Sequence, residues 1–281
     1  MPPIRLLLSD VDGTLINSRK ELTAATVEAV AKLRAHGVLF AITSGRPPRG
    51  MRQLVDALAP DVPVGAFNGG MLVDRTLNAL VTHTIEADLV VPICKMMNEF
   101  GLDAWLYRGA DWYVPDLEGA HVAREIATVN FEPRLLSSVA GGLSALKDGV
   151  AKIVGVTDDS GAMAAANRAV YDTFCDDVTA ATSQPYYLDV THPNANKGAV
   201  AQYVGKHYEL DPAEIATIGD MPNDVLMFAH SGLSIAMGNA DPQVKRAARR
   251  ITASNDEDGF AKAVDELILP HANGAFAAAG L

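Results

Sequence analysis

Two aspartates follow an apolar run near the amino terminus of the chain, in the sequence LLLSDVDGT. Asp10 and Asp12 are separated by a single valine, and two carboxylates about 5 Å apart repel each other by about 3 kcal/mol at an effective dielectric constant of about 20. A buried strand cannot offset that repulsion, so either one aspartate is protonated or a cation lies between the two. Mg2+ is the natural ion for a site built from oxygen atoms, and Gly13 lets the backbone turn sharply towards it.

From the segment DVDG alone, two other interpretations compete with a magnesium site. Asp and Gly commonly end strands, so the segment could be a plain turn, and this alternative stays open at this point. A calcium loop fits less well: Glu21 is the twelfth residue counted from Asp10, but the sixth is Leu15, where an EF-hand requires glycine. We set the calcium loop aside.

Three later segments, TSGR, NANKG and GDMPND, carry further polar residues. Each lies where a parallel sheet would present the loops at the carboxyl ends of its strands, which is the usual ligand crevice of such folds. The hydroxyl of Ser44, with Gly45 beside it, suits close approach to a phosphate oxygen. Lys197 supplies a point charge that can hold a phosphate and an attacking carboxylate together. Asp220 and Asp224 add carboxylates for a metal ion and its waters.

Each of these polar residues also has a purely structural interpretation. Ser44 could be a turn residue, Lys197 a solvated lysine at the start of a helix, and Asn223 an N-cap. The combination of paired carboxylates, a hydroxyl, a lysine and a second acidic loop favours a site for phosphate chemistry over these separate roles.

Alternating strands and helices must position these residues. Residues 4–9 are nearly continuous apolar sequence that ends in a turn, which predicts a short buried strand. A helix follows, for which we expect Val27, Val30 and Leu33 on one face. Residues 38–43 predict a second strand, so the chain begins with a strand-helix-strand unit and a parallel sheet.

The same alternation returns near the carboxyl end, with strands IATIG and LSIAM among helices at residues 198–207, 223–230 and 243–249. Between the two halves the pattern changes to paired strand-like segments, LDAWLYRG and DWYVPD, followed by VAKIVGVT, an alanine-rich helix and YYLDVT. The predicted fold class is therefore α/β, a doubly wound parallel sheet with an inserted α+β domain. The predicted domains are 1–84 for the first part of the core, 85–187 for the inserted domain and 188–281 for the second part of the core.

The composition indicates a folded globular protein with little affinity for polyanions. Of the 281 residues 49% are hydrophobic, and 23 Lys and Arg against 34 Asp and Glu give a formal charge of -11. Nonspecific attraction to nucleic acid or to an anionic membrane is therefore not expected. An acidic protein that handles anions usually needs a cation.

The cysteines and the amino terminus bear on the expected compartment. Cys94 and Cys175 are far apart, without neighbours at metal-ligand spacing, so we expect neither a disulfide framework nor a zinc site. The start of the chain, MPPIRLLLSD, does not have the long apolar segment of a signal peptide, and no later run reaches the ~20 apolar residues of a membrane helix. We expect a cytoplasmic protein with no membrane and no nucleic-acid partner, and its oligomeric state stays open.

The ordered motifs DVDGT, TSGR, NKG and GDMPND, followed by AMGNAD and NDEDG, resemble those of the haloacid dehalogenase superfamily of phosphohydrolases, in particular its Cof-type subfamily. The resemblance covers both halves of a Rossmann-like core. The long segment between Asn68 and Lys197 lies where Cof-type proteins carry an inserted domain, which is called the cap, and it resembles that insertion. One motif departs from the pattern, because the second motif usually reads threonine-glycine-arginine and this chain has Ser44 before the glycine. We assign Ser44 by register, with Thr43 pointing to the opposite face of the strand.

The resemblance implies a mechanism that divides the work between the first two aspartates. Asp10 would be the nucleophile that forms an aspartyl-phosphate, and Asp12 would protonate the leaving alcohol and later activate water. Chemistry supports this division, because one carboxylate cannot attack phosphorus and supply a proton simultaneously. Mg2+ would be held by the Asp10 carboxylate, the Asp12 backbone carbonyl and Asp220. Asp224 would orient a bound water and Lys197.

The resemblance also suggests residues that bind the substrate, which would be a small phosphomonoester. Arg46, Asn68 and Asn223 are candidates for holding the phosphate or the substrate, with a role in stabilising loops or capping a helix as the alternative. The inserted domain, which corresponds to the cap, would supply selectivity for the substrate and exclude water from the site. Its aromatic residues could stack on a sugar face. We favour the alternative interpretation, in which they pack within the sheet. These aromatic residues are Trp105, Tyr107, Trp112 and Tyr113. His121 and Arg124 are further cap residues that could reach the substrate.

Three functions compete at this level. The leading hypothesis is a Mg2+-dependent phosphatase that hydrolyses small phosphorylated metabolites, in particular sugar phosphates. The second is a phosphomutase, which would return the phosphoryl group to a sugar phosphate instead of to water. The third is a receiver-like phosphorylation switch, which would store the aspartyl-phosphate. The position of Asp12, which can speed hydrolysis, and the inserted domain favour the phosphatase over the switch.

Overall fold

The structure, a computed structural model, describes residues 2–138 and 149–272 of the chain. The strands are β1 (Leu6–Ser9), β2 (Leu39–Ile42), β3 (Val64–Ala66), β4 (Met71–Val73), β5 (Ala79–Thr82), β6 (Asp103–Arg108), β7 (Asp111–Val114), β8 (Arg134–Leu135), β9 (Lys152–Val156), β10 (Thr179–Gln184), β11 (Tyr187–Thr191), β12 (Ile215–Gly219), β13 (Leu233–Ala236) and β14 (Arg250–Ile251). The α-helices are α1 (Ala24–Ala35), α2 (Arg52–Leu58), α3 (Ala87–Glu99), α4 (Val122–Val129), α5 (Ser160–Phe174), α6 (Lys197–His207), α7 (Val225–Phe228), α8 (Pro242–Ala247) and α9 (Gly259–Ala263).

The chain divides into two compact units. The first consists of Met1–Gly45, Arg52–Leu80 and Asn196–Leu281, and the second of Arg46–Met51 and Val81–Ala195. The second unit therefore takes in the loop that follows β2 as well as the long insertion. Strand β11 also belongs to it, so the predicted domain boundary at residue 188 falls within a strand of this unit.

The main sheet of the first unit has five parallel strands in the order β14-β13-β12-β1-β2. Strand β1 runs between β12 and β2, with Leu6 opposite Ile215 on one side and Leu39 on the other. Every residue of β1 is buried, as expected for an inner strand of a parallel sheet. Since the strands are parallel, the segments that follow β1, β2 and β12 begin at one edge of the sheet.

Helix α1 begins after Thr23, whose hydroxyl accepts a hydrogen bond from the Thr26 N–H as an N-cap. The buried residues of the helix are Thr26, Ala29, Val30 and Leu33. The prediction that Val27 shares the buried face is wrong, because Val27 is 40% exposed. A step of three residues turns an α-helix by about 300°, so positions three apart drift by about 60° a step and leave the buried face.

Of the three helices predicted near the carboxyl end, one lies close to its predicted residues and two are shorter than predicted. Helix α6 begins and ends close to the predicted residues, and α8 ends at Ala247. The helix predicted at 223–230 consists of a 3-10 turn, Pro222–Asp224, followed by the short α7. The tight turn forms because the Asp224 carboxylate accepts hydrogen bonds from backbone N–H groups just before it.

The second unit contains a six-stranded sheet in the order β10-β11-β9-β6-β7-β8, antiparallel except for the pair β7 and β8. One face of this sheet packs against α3 and α5, through a buried core that includes Leu106, Ile153 and Leu188. The sheet and its two helices form an α+β arrangement. None of the described helices, in either unit, combines the length and the apolar character that a membrane crossing demands.

Candidate active site

Asp10 lies directly after β1, in a buried position. Its backbone N–H donates to the carbonyl oxygen of Ile218 in β12 at 3.0 Å, so the residue extends the pairing of these two strands. The Ser9 hydroxyl donates to the carbonyl oxygen of Asp10 at 2.7 Å. The inner strands of the sheet therefore fix the backbone that carries this carboxylate.

Lys197 is the first residue of α6, and its side chain is 2% exposed. The Asn196 side chain accepts a hydrogen bond from the Ala199 N–H at 2.9 Å, and this N-cap fixes where the helix begins. The ammonium Nζ of Lys197 lies 2.5 Å from Asp10 Oδ1 and 2.6 Å from Asp224 Oδ1. One buried ammonium group thus bridges two buried carboxylates.

Asp224 closes the loop that follows β12. Its Oδ2 accepts hydrogen bonds from the backbone N–H groups of Asp220 at 2.9 Å and Met221 at 2.8 Å. The space around it is tight, because a Cβ at Gly219 would lie 2.3 Å from the Asp224 Cγ. Asp224 therefore uses one carboxylate oxygen to hold the loop and the other to hold Lys197.

The side chain of Asp220 is positioned by Thr14 and Asn239. The Thr14 hydroxyl donates to Asp220 Oδ1 at 3.3 Å. Asn239 Nδ2 donates to Asp220 Oδ2 at 3.2 Å and to the carbonyl oxygen of Gly13 at 3.0 Å. Gly13 has a φ of +82°, and a Cβ there would lie 2.3 Å from Asp220 Oδ2. Both the backbone conformation and the neighbouring carboxylate therefore require glycine at this position.

Asp10, Asp220 and Asp224 form a carboxylate cluster in which one oxygen of each lies within 4.8 Å of the others. Three ionised carboxylates and the one ammonium of Lys197 carry a formal charge of -2 in a buried region. Such an excess of negative charge is unfavourable unless a further cation is bound or a carboxylate is protonated. The donors are all oxygen atoms, which are the ligands that Mg2+ prefers. The residues present therefore fit a hard divalent ion.

The pKa values of these groups reflect the same imbalance of charge. Burial raises the pKa of Asp10 well above its usual value, and the charges of Asp224 and Asp220 act in the same direction against that of Lys197. Burial, followed by the charge of Asp224, raises the pKa of Asp220 to about 6. Burial alone would lower the pKa of Lys197, but the charges of Asp10 and Asp224 outweigh it and raise that pKa. The lysine is therefore charged, and an added cation would favour the ionised form of the carboxylates.

Asp12 lies apart from the carboxylate cluster. Its side chain is 31% exposed, and the Lys20 ammonium donates to its Oδ1 at 2.7 Å. The two aspartates of the DVDGT motif therefore occupy different environments. Asp10 is buried among carboxylates, whereas Asp12 lies near solvent beside a lysine.

Ser44, Gly45, Asn68 and Asn223 come together in the first unit. The Ser44 N–H donates to the carbonyl oxygen of Gly65 at 2.8 Å, and the Asn68 N–H donates to the carbonyl oxygen of Ser44 at 2.7 Å. The Asn68 amide lies 3.5 Å from where a Cβ at Gly45 would stand. Asn223 Nδ2 donates to Asn68 Oδ1 at 3.2 Å, which joins this group to the loop after β12.

Thr43, the neighbour of Ser44, is buried, and its Oγ1 would lie 2.7 Å from a Cβ at Gly65. Its hydroxyl has no hydrogen-bond partner within the part of the chain that the structure describes. Its surroundings are therefore those of a packed strand residue. The assignment of Ser44 to phosphate binding stays a prediction.

The remaining predicted substrate residues belong to the second unit. The Arg46 guanidinium donates to the carbonyl oxygen of Gly50 at 3.4 Å. The ring of His121 stacks on Tyr186 with 4.2 Å between centroids, and the Arg124 guanidinium donates to the Tyr186 hydroxyl at 2.7 Å. These contacts hold the three predicted residues within their own unit.

The aromatic residues predicted in the second unit are buried in its sheet. Trp105 and Trp112 meet edge to face with 5.2 Å between ring centroids, and Tyr107 stacks on Trp112 at 5.7 Å. Tyr113 belongs to the core on the side of α3 and α5. These contacts support packing within the sheet.

The sequence matches the family of haloacid dehalogenase-like hydrolases over residues 7–264. The chain belongs to this family. The 5-amino-6-(5-phospho-D-ribitylamino)uracil phosphatase YwtE of Bacillus subtilis is 25% identical over 290 residues, which cover 94% of this chain and 98% of that protein.

Two solved structures show the same fold. A haloacid dehalogenase-like hydrolase from Bacteroides thetaiotaomicron is 25% identical, with a TM-score of 0.85 over 94% of this chain and 99% of that one. A haloacid dehalogenase sugar phosphatase of subclass IIB is 21% identical, with a TM-score of 0.79 over 94% of this chain and 99% of that one. The predicted fold class is confirmed, and the protein is a phosphatase.

Three residues that contact the site of this haloacid dehalogenase-like phosphatase were not predicted. Thr14 and Asn239, which position Asp220, lie in the motifs DVDGT and AMGNAD, so their membership of these motifs could have identified them. Lys20 lies in no motif, and its pairing with Asp12 depends on a loop in which its own φ is +64°. The sequence carries no comparable signal for that pair.

Proposed function

We propose that this phosphatase depends on Mg2+ and hydrolyses small phosphorylated metabolites, sugar phosphates in particular, through an aspartyl-phosphate formed on Asp10. The observation that carries the proposal is the buried Asp10 carboxylate, 2.5 Å from the Lys197 ammonium and clustered with Asp220 and Asp224. The sugar phosphatase with the same fold and the ribitylaminouracil phosphatase relative support the class of substrate. A cytoplasmic location stays a prediction from the cysteine content and the amino-terminal sequence.

In the first step, a carboxylate oxygen of Asp10 attacks phosphorus. A bond forms between that oxygen and phosphorus while the bond from phosphorus to the ester oxygen breaks, and Asp12 gives a proton to the departing alcohol. Burial holds Asp10 in one orientation for an in-line attack, whereas the partly exposed side chain of Asp12 suits exchange of protons.

In the second step, Asp12 takes a proton from water as the water oxygen bonds to phosphorus. The bond between phosphorus and Asp10 breaks, which releases inorganic phosphate and restores the Asp10 carboxylate. Lys197 stays charged throughout, and its ammonium group compensates the negative charge of the phosphoryl oxygens.

Other residues of the first unit would bind the phosphate. The Ser44 hydroxyl would donate to a phosphate oxygen, with Asn68 and Asn223 holding the neighbouring loops together. Mg2+ would be held by the Asp10 carboxylate, the Asp12 backbone carbonyl and Asp220. When bound, the ion would neutralise charge on the phosphoryl oxygens and on the carboxylate cluster.

The test is release of inorganic phosphate with and without Mg2+, across a panel of sugar phosphates, nucleotides and pyridoxal phosphate. We expect Asp10→Asn and Asp12→Asn to lose activity by a factor of about 100 or more, because the amide is a poor nucleophile and cannot exchange the proton. Asp176→Asn, at an exposed position of the second unit, is the matched control and should retain activity.

Two outcomes would contradict the proposal. Transfer of the phosphoryl group between positions of a sugar, with little free phosphate, would favour a phosphomutase. A phosphoprotein that persists for hours without turnover would favour a receiver-like switch.

A further inference from the structure

Strand β10 forms one edge of the six-stranded sheet of the second unit. It pairs with β11 on one side, and no strand that the structure describes pairs with its other side. Alternate N–H and C=O groups of such a strand point away from the sheet and can pair with an added strand. The sequence of β10, TAATSQ, includes neither a charged residue nor a proline, which are common protections of an edge. This edge is therefore open to a partner.

The length of the open edge is limited at its carboxyl end. The register of β10 against β11 shifts between Thr182 and Gln184, and Pro185 follows the strand directly. A bulge interrupts the regular spacing of the N–H and C=O groups, and proline has no N–H to donate. Regular pairing is thus offered by residues 179–182, a length that suits a short extended segment.

A groove of 620 Å3 lies along this edge, between β10 and α5. Ala180 and Thr182 line it from the strand, and being two residues apart they share one face of the sheet. Met163, which is 4% exposed, is the buried residue of the lining. The volume falls within the range of about 300–1,000 Å3 that is typical of ligand pockets. The helix contributes further lining residues, which are Ser160, Ala164, Asn167, Arg168 and Tyr171.

The groove and the open edge together suit an extended peptide. A strand added beside β10 would turn every second side chain towards the face on which Ala180 packs against the core with α5. Those side chains would enter the groove and cover Tyr171, which is 61% exposed. In this mode of recognition, the paired main chain supplies affinity and the pockets for alternate side chains supply specificity.

Arg168 determines the charge that the groove prefers. It is the one charged residue among the lining residues, and it has neither an ion pair nor a hydrogen bond within residues 2–138 and 149–272. Asp172, one turn further along α5, does not pair with it, and Asp159 uses its carboxylate to accept hydrogen bonds at the start of the helix. A guanidinium group binds a carboxylate through two parallel N–H···O bonds. The groove therefore favours a segment that carries an acidic side chain.

We propose that the groove between β10 and α5 binds an extended acidic peptide segment of another protein. The segment pairs its main chain with residues 179–182, places alternate side chains against Met163 and Tyr171, and sets a carboxylate on Arg168. A second copy of this chain would present the same uncharged β10 to the edge and leave Arg168 without a partner, so it fits the groove less well. None of these residues takes part in the proposed hydrolysis, so the inference is independent of that function.

Binding of short peptides to the full chain tests the groove. The probes are fluorescein-labelled hexapeptides of alternating valine and threonine in which one glutamate occupies each position in turn, each with a glutamine counterpart. Fluorescence anisotropy measures the affinity. We expect at least one glutamate peptide to bind, and its glutamine counterpart to bind about tenfold more weakly, because it lacks the charge-assisted hydrogen bonds to Arg168. Absence of binding by every glutamate peptide, or equal binding by the glutamine counterpart, overturns the inference.

N-methylation of the bound peptide tests the pairing of its main chain without changing the protein. In an extended segment beside β10, alternate N–H groups face the strand and the others face away. Methylation of one set of alternate nitrogens should abolish binding, and methylation of the other set should leave most of it. A peptide that tolerates both sets, or neither, is not held as an added strand and contradicts the proposal.

Two matched pairs of variants locate the bound peptide on the protein. Arg168→Gln should weaken binding of the glutamate peptide by about tenfold, whereas Lys95→Gln, which removes a positive charge from an exposed position of α3, should leave it unchanged. Ala164→Trp fills the groove and should abolish binding. Ala165→Trp, at the next exposed position of α5 and outside the lining, should not. Equal effects within either pair would show that the peptide binds elsewhere.

The oligomeric state decides between a peptide and a second copy as the occupant. Sedimentation velocity of the full chain is the measurement, with the wild type compared to Ala164→Trp. We expect equal sedimentation coefficients, because the groove of the wild type is free to take the peptide. A wild-type dimer that Ala164→Trp converts to a monomer would show that a second copy fills the groove, and would overturn the inference.

Discussion

Lys197 and Asp224 form an ion pair that is closed to solvent, with 2.6 Å between Nζ and Oδ1. The second oxygen of Asp224 accepts hydrogen bonds from two N–H groups of the loop after β12. The start of α6 and this loop are thereby held in one arrangement. The same ammonium contacts Asp10, so a single cation supports both the proposed nucleophile and the loop that carries Asp220.

Replacement of Lys197 by methionine should leave the carboxylates without their cation. We expect Lys197→Met to lose catalytic activity. At pH 8 without metal, its free energy of unfolding should fall by about 3 kcal/mol or more, because removing one partner of a buried ion pair leaves the charge of the other partner uncompensated. Urea denaturation measures the change. Lys206→Met, at an exposed position near the end of α6, is the control.

The destabilisation by Lys197→Met should also depend on pH. Loss of the ammonium raises the pKa values of the neighbouring carboxylates further, so the folded variant binds protons more tightly than the unfolded chain and gains stability as the pH falls. The deficit should therefore be smaller at pH 5 than at pH 8. A deficit that is the same at both values would show that the lost lysine contributes through packing alone.

Binding of Mg2+ should release protons near pH 6. Burial and the charge of Asp224 raise the pKa of Asp220 from 3.8 to about 6. Without metal, the folded state holds more protons than the unfolded state between these values, so this group makes stability fall as the pH rises through that window. Mg2+ requires the ionised carboxylate, and its affinity should rise over the same window. Calorimetric titration at pH 6 in two buffers of different ionisation enthalpy measures the protons released; identical heats would contradict the prediction.

The variant Gly13→Ala tests whether a side chain placed against Asp220 lowers the free energy of unfolding beyond the effect of backbone strain. Gly13 and Gly101 have φ values of +82° and +81°, but a Cβ would meet Asp220 only at Gly13, whereas nothing lies within 4 Å of the position at Gly101. We expect Gly101→Ala to lower the free energy of unfolding by about 1 kcal/mol through backbone strain alone. Gly13→Ala should lower the free energy of unfolding by more than Gly101→Ala does, and it should also weaken Mg2+ binding. Equal losses in urea denaturation would mean that the carboxylate moves aside freely.

Asn239 should affect the metal ion through Asp220. Asn239→Ala removes hydrogen bonds to Asp220 Oδ2 and to the Gly13 carbonyl, and we expect a fall in Mg2+ affinity by about 10-fold to 100-fold. Activity should recover in large part at saturating Mg2+. Asn78→Ala, in a surface turn, is the control and should leave the affinity unchanged. A variant with normal affinity and low activity would indicate a different role for Asn239.

The sequence predicted which residues of the core meet, because a parallel sheet brings the carboxyl ends of neighbouring strands to one edge. Asp10 and Asp220 lie far apart in the chain and follow the neighbouring strands β1 and β12, so this argument applies to them. Lys197 begins α6 after β11 of the antiparallel part of the other sheet, so only its motif predicted that it belongs to the site. The motifs alone gave these residues in the correct order. Their catalytic and metal-binding roles stay predictions until the variants are measured.

Other features could not be predicted, because they depend on the three-dimensional course of the chain and not on residue types and their spacing. The position of Asp12 beside Lys20 follows from the conformation of a loop, and the sequence spacing of the two carries no such signal. Arg46 follows Gly45 directly, but the compact units divide between these two residues. The Tyr187 hydroxyl and Asp189 Oδ1 have no hydrogen-bond partner among the described residues, a feature that becomes visible only when every neighbouring donor and acceptor is known.

The order of the strands has a consequence for synthesis of the protein. Strand β1 pairs with β2, which is made soon after it, and with β12, which is made only after the whole insertion. On the ribosome the strand that leads to Asp10 therefore presents an unpaired edge while more than half of the chain is still to come, and such edges invite pairing with other chains. We expect the nascent amino-terminal half to need protection by chaperones, and the site to gain Lys197 and Asp220 only when the chain is nearly complete.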